Sequence, residues 1–235
     1  IGGMGAITQG MAAAAREAGA EISTNAAVRE VIVENGRACG VVLESGETAR
    51  ASSIVSNLNP TLLYTRLMPQ GSVPEPFAAR IAHWRNASGT FRINVALSRL
   101  PSFTARPGTG DHLSAGIIIA PSLPYMDRAW RDARSDGWSR APIVEVLIPS
   151  TLDDSLAPKG AHVASLFCQH VAPELPEGAS WDDHRDTVAD LMIDTVEAYA
   201  PGFKASIVGR QALSPLDLER TFGLIGGDIF HGALS

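Results

Sequence analysis

The sequence predicts an α+β protein built around an antiparallel sheet, and three local patterns carry that prediction. Asn35-Gly36 joins two runs rich in Val and Ile, which is the strongest short-range signal for a β-hairpin. Apolar and polar residues alternate over Thr90–Ser98, as expected of an antiparallel strand with one buried face and one face toward solvent or a ligand. A helical repeat of apolar residues follows Ser180, so long helices accompany the strands.

The pattern over residues 1–57 predicts a helix, a short strand, a β-meander and a buried strand. Apolar residues at spacings of three and four share one face of the helix: Met4, Ile7, Met11, Ala14, Ala15 and Ala18. Gly19 suits the end of that helix. We expect the short strand at Glu21–Thr24 and the buried strand at Ser53–Ser56, on either side of the meander.

The remaining chain alternates between helical and strand patterns. Helices are expected at Pro60–Met68, Glu75–Arg85, Met126–Arg134, the segment after Ser180, and Pro215–Arg220; strands are expected at Thr90–Ser98, Ser114–Ala120, Pro142–Ile148, His162–His170 and Ser206–Ala212. The chain begins at Ile1 on a glycine-rich turn and ends at Ser235 just after another. We therefore expect an internal piece of a longer protein, in which residues 1–57 and 206–235 pack against polypeptide outside it.

The composition bears on the partners of the protein and on its cellular compartment. The 235 residues are 45% hydrophobic and carry a net charge of -6, which gives no support for nucleic acid as a partner. No apolar run approaches the roughly 20 residues that span a bilayer, and no signal peptide is visible. We expect a cytoplasmic protein with Cys39 and Cys168 as free thiols, while a disulfide between them stays an alternative because sequence does not place them in space.

The sequence contains no motif typical of a metal site or of a hydrolase. Cys168 and His170 are two apart on a predicted strand and share a face, but further zinc ligands at suitable spacing are lacking. Core packing is the expected role of both residues, and no metal site is predicted. Asp153-Asp154 fits a turn or cap, and no Gly-x-Ser-x-Gly elbow occurs.

A series of separated motifs at the two ends of the chain occurs in the order shown by a known flavoprotein family. The motifs are Gly2-Gly3-Met4-Gly5 before a helix, Gly19-Ala20-Glu21-Ile22, Val28-Arg29-Glu30-Val31, Gly46, Val55-Ser56-Asn57, the run Ser214-Pro215-Leu216-Asp217-Leu218-Glu219, Gly223, Gly226-Gly227 and Phe230-His231-Gly232. With these motifs the chain resembles the phytoene desaturase and amine-oxidase superfamily of FAD-dependent oxidoreductases, in particular its phytoene-dehydrogenase-like branch. Residues 60–205 add little to the resemblance.

The resemblance implies a two-domain flavoprotein with an α/β FAD domain of Rossmann type and an antiparallel-sheet substrate domain. Residues 1–57 would supply partial FAD-domain elements, residues 58–205 the substrate-binding α+β domain, and residues 206–235 the return toward the FAD domain. It implies FAD as cofactor and an apolar substrate of isoprenoid or lipid-like type that is desaturated, saturated or isomerised, with peripheral membrane contact allowed. No Gly-x-Gly-x-x-Gly follows a strand near the start, so we expect these 235 residues alone to bind FAD weakly and to be inactive.

The resemblance also assigns candidate site residues. Cofactor contact is implied for Gly2, Gly3, Met4, Gly5, Val28, Ser56, Asn57, Gly226 and Gly227. Glycines at a helix N-terminus leave backbone N–H groups open to a ligand, although a plain turn is the alternative reading. For Val28 the alternative is core packing, and for Asn57 it is a turn or cap. His231 is the candidate proton carrier near neutral pH, with a hydrogen-bonded loop histidine as the alternative.

Two other functions stay open. An amine-oxidising flavoenzyme would need aromatic residues flanking the flavin, and the matching segments hold no paired Tyr. A non-catalytic binding protein of the same fold, like the Rab GDP-dissociation inhibitors, would bind a prenylated partner without redox chemistry. An upstream Gly-x-Gly-x-x-Gly, with an acidic residue about 20 positions later, would favour an enzyme over a binding protein.

Overall fold

The computed structural model describes residues 3–86 and 89–233. The chain forms two compact units, one consisting mainly of Gln9–Asn86 and the other mainly of Ala87–Phe230. This division differs from the boundaries at 57/58 and 205/206, which were drawn where the family motifs stop. The strand Ile207–Leu213 hydrogen-bonds within the sheet of the larger unit, so the contacts of that unit extend well beyond residue 205. The roles expected of the three segments stay predictions.

The smaller unit contains a three-stranded antiparallel meander. Its strands are β1 (Val28–Glu34), β2 (Arg37–Leu43) and β3 (Thr48–Arg50), in the order β1-β2-β3. At the predicted hairpin, Asn35 and Gly36 have φ values of 52° and 75°, as a tight turn of the I′ kind requires. Two short helices follow: α2 (Pro60–Leu62), which continues as a π-helical turn over Leu63–Leu67, and α3 (Glu75–Ala82). The predicted meander is confirmed.

The helix predicted at the start of the chain is α1 (Gly3–Glu17), and its apolar face is uncovered in the described residues. None of its residues is buried. Met4, Ile7 and Met11 are 79%, 57% and 68% exposed, although they form the apolar stripe that the sequence predicts. An amphipathic helix normally buries such a stripe, because leaving it in water forfeits the hydrophobic contribution to stability.

The two strands predicted on either side of the meander are wrong. Residues 20–27 and 51–57 adopt neither helix nor strand, and Val55, expected to be buried, is 95% exposed. A strand forms only where a neighbouring strand accepts its backbone hydrogen bonds, and no described strand pairs with either segment. Both segments contain β-branched residues, which favour strands, but neither segment has a pairing partner among the described residues.

The larger unit is a five-stranded antiparallel sheet with helices, which confirms the predicted α+β class. The strands are β4 (Thr90–Leu97), β5 (Ile117–Ile119), β6 (Trp138–Leu147), β7 (His162–Val171) and β8 (Ile207–Leu213), in the order β5-β6-β7-β4-β8. The helices are α4 (Leu123–Asp136), α5 (Trp181–Tyr199), α6 (Phe203–Ser206) and α7 (Pro215–Phe222). Thus β4 and β7 lie at the centre of the sheet.

The core of this unit lies between the sheet and α5. From α5 it takes Trp181, Val188, Ala189, Met192, Ile193 and Val196, and from β4 it takes Phe91, Ile93, Val95 and Leu97. The Trp181 ring lies 5.7 Å from the ring of Phe91 and 5.9 Å from that of Trp138. Its indole N–H donates to the carbonyl of Ala172 at 3.0 Å, so the polar atom of this buried ring is satisfied.

Candidate functional site

The second face of the sheet is open, and β4 shows this most clearly. Phe91, Ile93 and Leu97 are fully buried toward α5. Between them, Arg92 and Ala96 are half-buried and Asn94 is exposed. The alternation predicted over Thr90–Ser98 is therefore confirmed, and its polar side is the face left accessible.

Cross-strand pairing sets which side chains share this open face. Three rows cross β8, β4 and β7: Leu213, Arg92 and Phe167; Gln211, Asn94 and Ser165; and Gly209, Ala96 and Val163. The first two rows present polar groups from the central strands. The third row combines a glycine, an alanine and a valine, whose small side chains leave a depression in the sheet surface.

A cavity of about 520 Å³ lies over the second and third rows. Its apolar wall includes Ala96, Pro149, Leu156, Val163 and Ala164, and its polar wall includes Asn94, Ser165, Arg210 and Gln211. A concave site of this size, mostly apolar with a few polar groups at one side, is typical of small-molecule binding. The open face is therefore the candidate functional site.

Arg92 brings a positive charge to the polar rows. Its Nη2 donates to Ser165 Oγ at 2.9 Å, and the guanidinium carbon lies 5.2 Å from the centre of the Phe167 ring. Beside it, Asn94 Nδ2 donates to Gln211 Oε1 at 3.4 Å. The ion pairs found in residues 3–86 and 89–233 do not include Arg92. The sequence showed the alternation on β4 but not these partners, because they come from strands 73 and 117 residues away.

The glycine-led start of α1 borders the same cavity. The backbone N–H of Gly3 donates to Asp153 Oδ2 at 3.3 Å, and a Cβ on Gly3 would lie 3.3 Å from Leu156 Cδ2. Leu156 is one of the residues that line the cavity. Asp153 also accepts the N–H of Ser155 at 3.0 Å and caps the short 3-10 helix that carries Leu156, which confirms its predicted role as a cap. The sequence did not predict Leu156 as a cavity residue, because it lies outside any helical or strand pattern.

The other residues predicted at the first turn and in the smaller unit are placed as follows. Gly2 lies outside the described residues. Met4 is exposed, and a Cβ on Gly5 would meet nothing within 4 Å. Val28 opens β1 opposite Leu43, and Ser56 and Asn57 lie in an exposed loop where Ser56 Oγ accepts the N–H of Leu58 at 3.3 Å. Their contact with a flavin stays a prediction.

Gly226 and Gly227 have packing roles that the structure makes visible. The N–H of Gly226 donates to Glu219 Oε2 at 3.0 Å. Gly227 has φ 66°, and a Cβ there would lie 2.3 Å from the carbonyl oxygen of Pro215. A larger residue therefore cannot replace Gly227 without a backbone shift. Next to them, the carboxylate of Asp228 is buried: its Oδ1 accepts the N–H of Phe230 at 2.9 Å, while Oδ2 has no partner in the described residues.

His231 has positive φ, 60°, and its carbonyl accepts the indole N–H of Trp84 at 2.9 Å. The residue is exposed. Because the backbone carbonyl of His231 makes the contact with Trp84, this bond does not involve the imidazole. A catalytic role for His231 stays a prediction.

Cys168 and His170 were weighed in the sequence as metal ligands. Cys168 is fully buried, and burial raises the pKa of its thiol, while burial lowers the pKa of His170. No cluster of three or more His, Cys, Asp or Glu side chains in residues 3–86 and 89–233 could hold a metal ion. Among the same residues, no helix has the length and apolar character needed to cross a bilayer.

The fold is similar to one seen in a solved structure. The crystal structure of an oxidoreductase from Methanosarcina mazei matches it with a TM-score of 0.51 and 16% sequence identity, over 80% of this chain and 36% of that chain. Residues 1–136 match the family described as flavin containing amine oxidoreductase. The chain belongs to this family of flavin-containing amine oxidoreductases. The predicted resemblance is thereby confirmed, and a flavin is the cofactor that the family implies.

Two relatives match almost all of the chain. Pyridine nucleotide-disulfide oxidoreductase domain-containing protein 2 of Rattus norvegicus is 43% identical over 242 residues, covering 100% of this chain and 42% of the relative. The chloroplastic prolycopene isomerase of Daucus carota is 28% identical over 223 residues, covering 92% of this chain and 33% of the relative. The chain thus spans less than half of the length of either relative.

Proposed function

We propose that this chain forms the substrate side of an FAD-dependent oxidoreductase that desaturates, saturates or isomerises an apolar substrate. One observation carries the proposal. The cavity on the open sheet face is lined by Leu156, and Leu156 is the side chain against which Gly3 packs. The glycine turn assigned to the cofactor by family resemblance and the cavity suited to a small molecule are therefore neighbours.

The residues present fit the edge of a bound flavin. The N–H of Gly3 donates to Asp153. The next N–H groups of the first turn of α1 have no partner inside the helix, so they can donate to a polar group of the cofactor. Gly5 has open space at its Cα, which allows a ring or a phosphate to approach the backbone closely. FAD, rather than another flavin, is proposed from the family resemblance. When bound, the flavin would supply the hydride chemistry.

The chain's own residues would bind the substrate and exclude water from it. Ala96, Val163 and Leu156 give the cavity an apolar wall, which favours a hydrocarbon portion over water. The relative from Daucus carota is named for an isomerisation of prolycopene, which supports an apolar substrate for this site. The imidazole of His231 is the proposed carrier of a proton, because histidine is the side chain best suited to proton transfer near neutral pH.

A second candidate is oxidation of an amine, and the description of the matched family favours it. On the open sheet face, however, the central strand carries the cation Arg92 close to the cavity. A protonated amine would be repelled there, so carbon–carbon chemistry on an uncharged or anionic molecule fits better. A binding protein without redox chemistry is the third alternative, and conversion of the substrate separates it from both enzymes.

The test uses the whole protein that contains this chain. We expect the purified protein to show the absorbance of oxidised FAD, and that band to bleach anaerobically when a carotenoid or isoprenoid substrate donates electrons. A substitution Ala96→Phe would fill the cavity and abolish bleaching while FAD stays bound. The matched control is Val208→Phe, since Val208 is 69% exposed and does not line the cavity.

A protein without FAD would overturn the proposal. So would an Ala96→Phe variant that bleaches as fast as the unmodified protein, because the cavity would then not be the substrate site. Bleaching is the readout for desaturation only. Isomerisation leaves no net change in the flavin, and saturation takes two electrons from a flavin that is first reduced with dithionite, so chromatography of the substrate is the readout for these two reactions.

A further inference from the structure

We infer that the apolar substrate ends in a carboxylate and that Arg92 is the residue that selects it. The inference rests on the proposed function, in which the cavity over β4, β7 and β8 holds the substrate. It goes further by naming a chemical group on the substrate and the side chain that recognises it. The evidence is the charge state, the surroundings and the position of Arg92.

Arg92 carries a half-buried positive charge without a carboxylate partner in residues 3–86 and 89–233. A guanidinium has five N–H donors, and the described contacts occupy one of them, from Nη2 to Ser165 Oγ. A cation removed from water without a counter-ion is unfavourable. The Phe167 ring, 5.2 Å from the guanidinium carbon, compensates only in part.

A carboxylate would complete this environment. Arginine binds carboxylates through two parallel N–H···O bonds, and such bidentate pairs are among the strong hydrogen bonds in proteins. The acidic residue closest in the sheet register is Glu145 on β6, which pairs with Phe167, so Phe167 stands between it and Arg92. The open donors of Arg92 are therefore left to a ligand.

The polarity of the cavity fixes the orientation of that ligand. Asn94 and Gln211 line the polar end of the cavity. Arg92 lies beside that end, in the next row of the open face, and donates to the lining residue Ser165. Ala96 and Leu156 belong to the apolar end. A molecule with a carboxylate head and a hydrocarbon chain would place the head at Arg92 and the chain over Ala96. A pure hydrocarbon would cover the polar groups without replacing their hydrogen bonds to water, which disfavours it.

The experiment compares two probes of the same chain length on the full-length, flavin-loaded protein. Radiolabelled oleate and oleyl alcohol are bound by equilibrium dialysis. We expect oleate to bind at least about tenfold more tightly than the alcohol, since a hydrogen bond to a charged group is typically worth that much. In Arg92→Met the affinity for oleate should fall by about tenfold or more, and that for oleyl alcohol should stay unchanged.

The matched control is Arg131→Met, which removes a surface guanidinium paired with Asp127. It should change neither affinity. If Arg92→Met loses its fold, as judged by circular dichroism and flavin content, Ser165→Ala replaces it. That variant removes the hydroxyl that holds Nη2, and a loss of a few-fold for oleate alone is expected.

Three results would overturn the inference: equal affinity of the two probes, no binding of either probe, or unchanged oleate affinity after removal of Arg92 or Ser165. Each is distinguishable from failure of the proposed function. A protein that holds FAD and bleaches with an uncharged isoprenoid would keep the proposed function, even where the carboxylate preference is absent. A protein without FAD that still selects oleate through Arg92 would keep the binding inference and overturn the enzyme.

Discussion

Glu197 Oε1, in the last turn of α5, accepts the backbone N–H of Gly202 at 2.7 Å. Its other oxygen, Oε2, accepts the N–H of Lys204, also at 2.7 Å. A carboxylate is usually unfavourable near a helix C-terminus, because the helix dipole is negative there. Here the same carboxylate caps the start of α6 and satisfies two donors that would otherwise lack partners. These two bonds hold the pKa of Glu197 below its ordinary value of 4.5.

Replacement of Glu197 by Gln should therefore destabilise the protein by about 1 kcal/mol at neutral pH, because an amide retains only one acceptor oxygen. The lowered pKa means that the carboxylate contributes its full stabilisation above pH 4.5 and loses it as the pH falls through the folded-state value. Urea unfolding should show a difference between variant and unmodified protein that shrinks in acid. The control is Glu174→Gln on an exposed side chain; an equal loss there would contradict the capping role.

Truncation of Trp181 to Ala should cost about 3–5 kcal/mol, since its ring is buried between Phe91 and Trp138. Trp181→Phe should cost less, because it keeps an aromatic ring and loses mainly the bond to the Ala172 carbonyl. The free energy of unfolding in urea measures both. Trp130→Ala is the reference for an exposed indole, and a comparable loss in it would mean that burial is not the cause.

Gly227→Ala should destabilise the loop after α7 far more than Gly223→Ala. Both glycines have positive φ, 66° and 69°, so each substitution carries a backbone cost of about 1 kcal/mol. Only Gly227 adds a clash, with the Pro215 oxygen 2.3 Å from the new Cβ, whereas nothing lies within 4 Å at Gly223. The difference between the thermal unfolding midpoints of the two variants measures the cost of the clash with Pro215. Equal midpoints would show that the close packing is not maintained in solution.

The two cysteines should react differently with iodoacetamide. Cys168 is fully buried in β7, and burial raises the pKa of its thiol, so the reactive thiolate is suppressed. Cys39 is half-exposed in β2. Mass spectrometry of the native protein should find the label on Cys39 alone, and denaturant should expose both. Native labelling of a Cys39→Ser variant would mean that the core around Cys168 opens readily.

Local patterns in the sequence predicted the elements whose formation depends on near neighbours. Asn35-Gly36 gave the hairpin, and the alternation over Thr90–Ser98 gave a central strand with its two faces correctly assigned. Ser53–Ser56 failed because strand propensity does not supply a partner, and Val55 is left in solvent. A β-rich pattern therefore predicts a strand only together with an edge that can accept it.

The sequence predicted that one face of Thr90–Ser98 meets solvent or a ligand, but not which residues of other strands share that face. The motif around Gly3 predicted a ligand-facing turn, which stays a prediction, and its neighbour Asp153 lies 150 residues further along the chain. Likewise Arg92 meets Ser165 only because β4 and β7 pair in one register, and a shift by a single residue would turn Arg92 toward α5. Register and long-range neighbours depend on packing of the whole unit, which no local window contains.

Because α1 has no buried residues, we expect this helix to be less stable than α5. A helix of 15 residues is marginal in water by itself, whereas α5 is held by its buried stripe against the sheet. Amide hydrogens of α1 should then exchange with solvent long before those of α5, as expected for a region of low local stability. Exchange in α1 would therefore report on that helix alone, whereas exchange in α5 would report on unfolding of the sheet and its core.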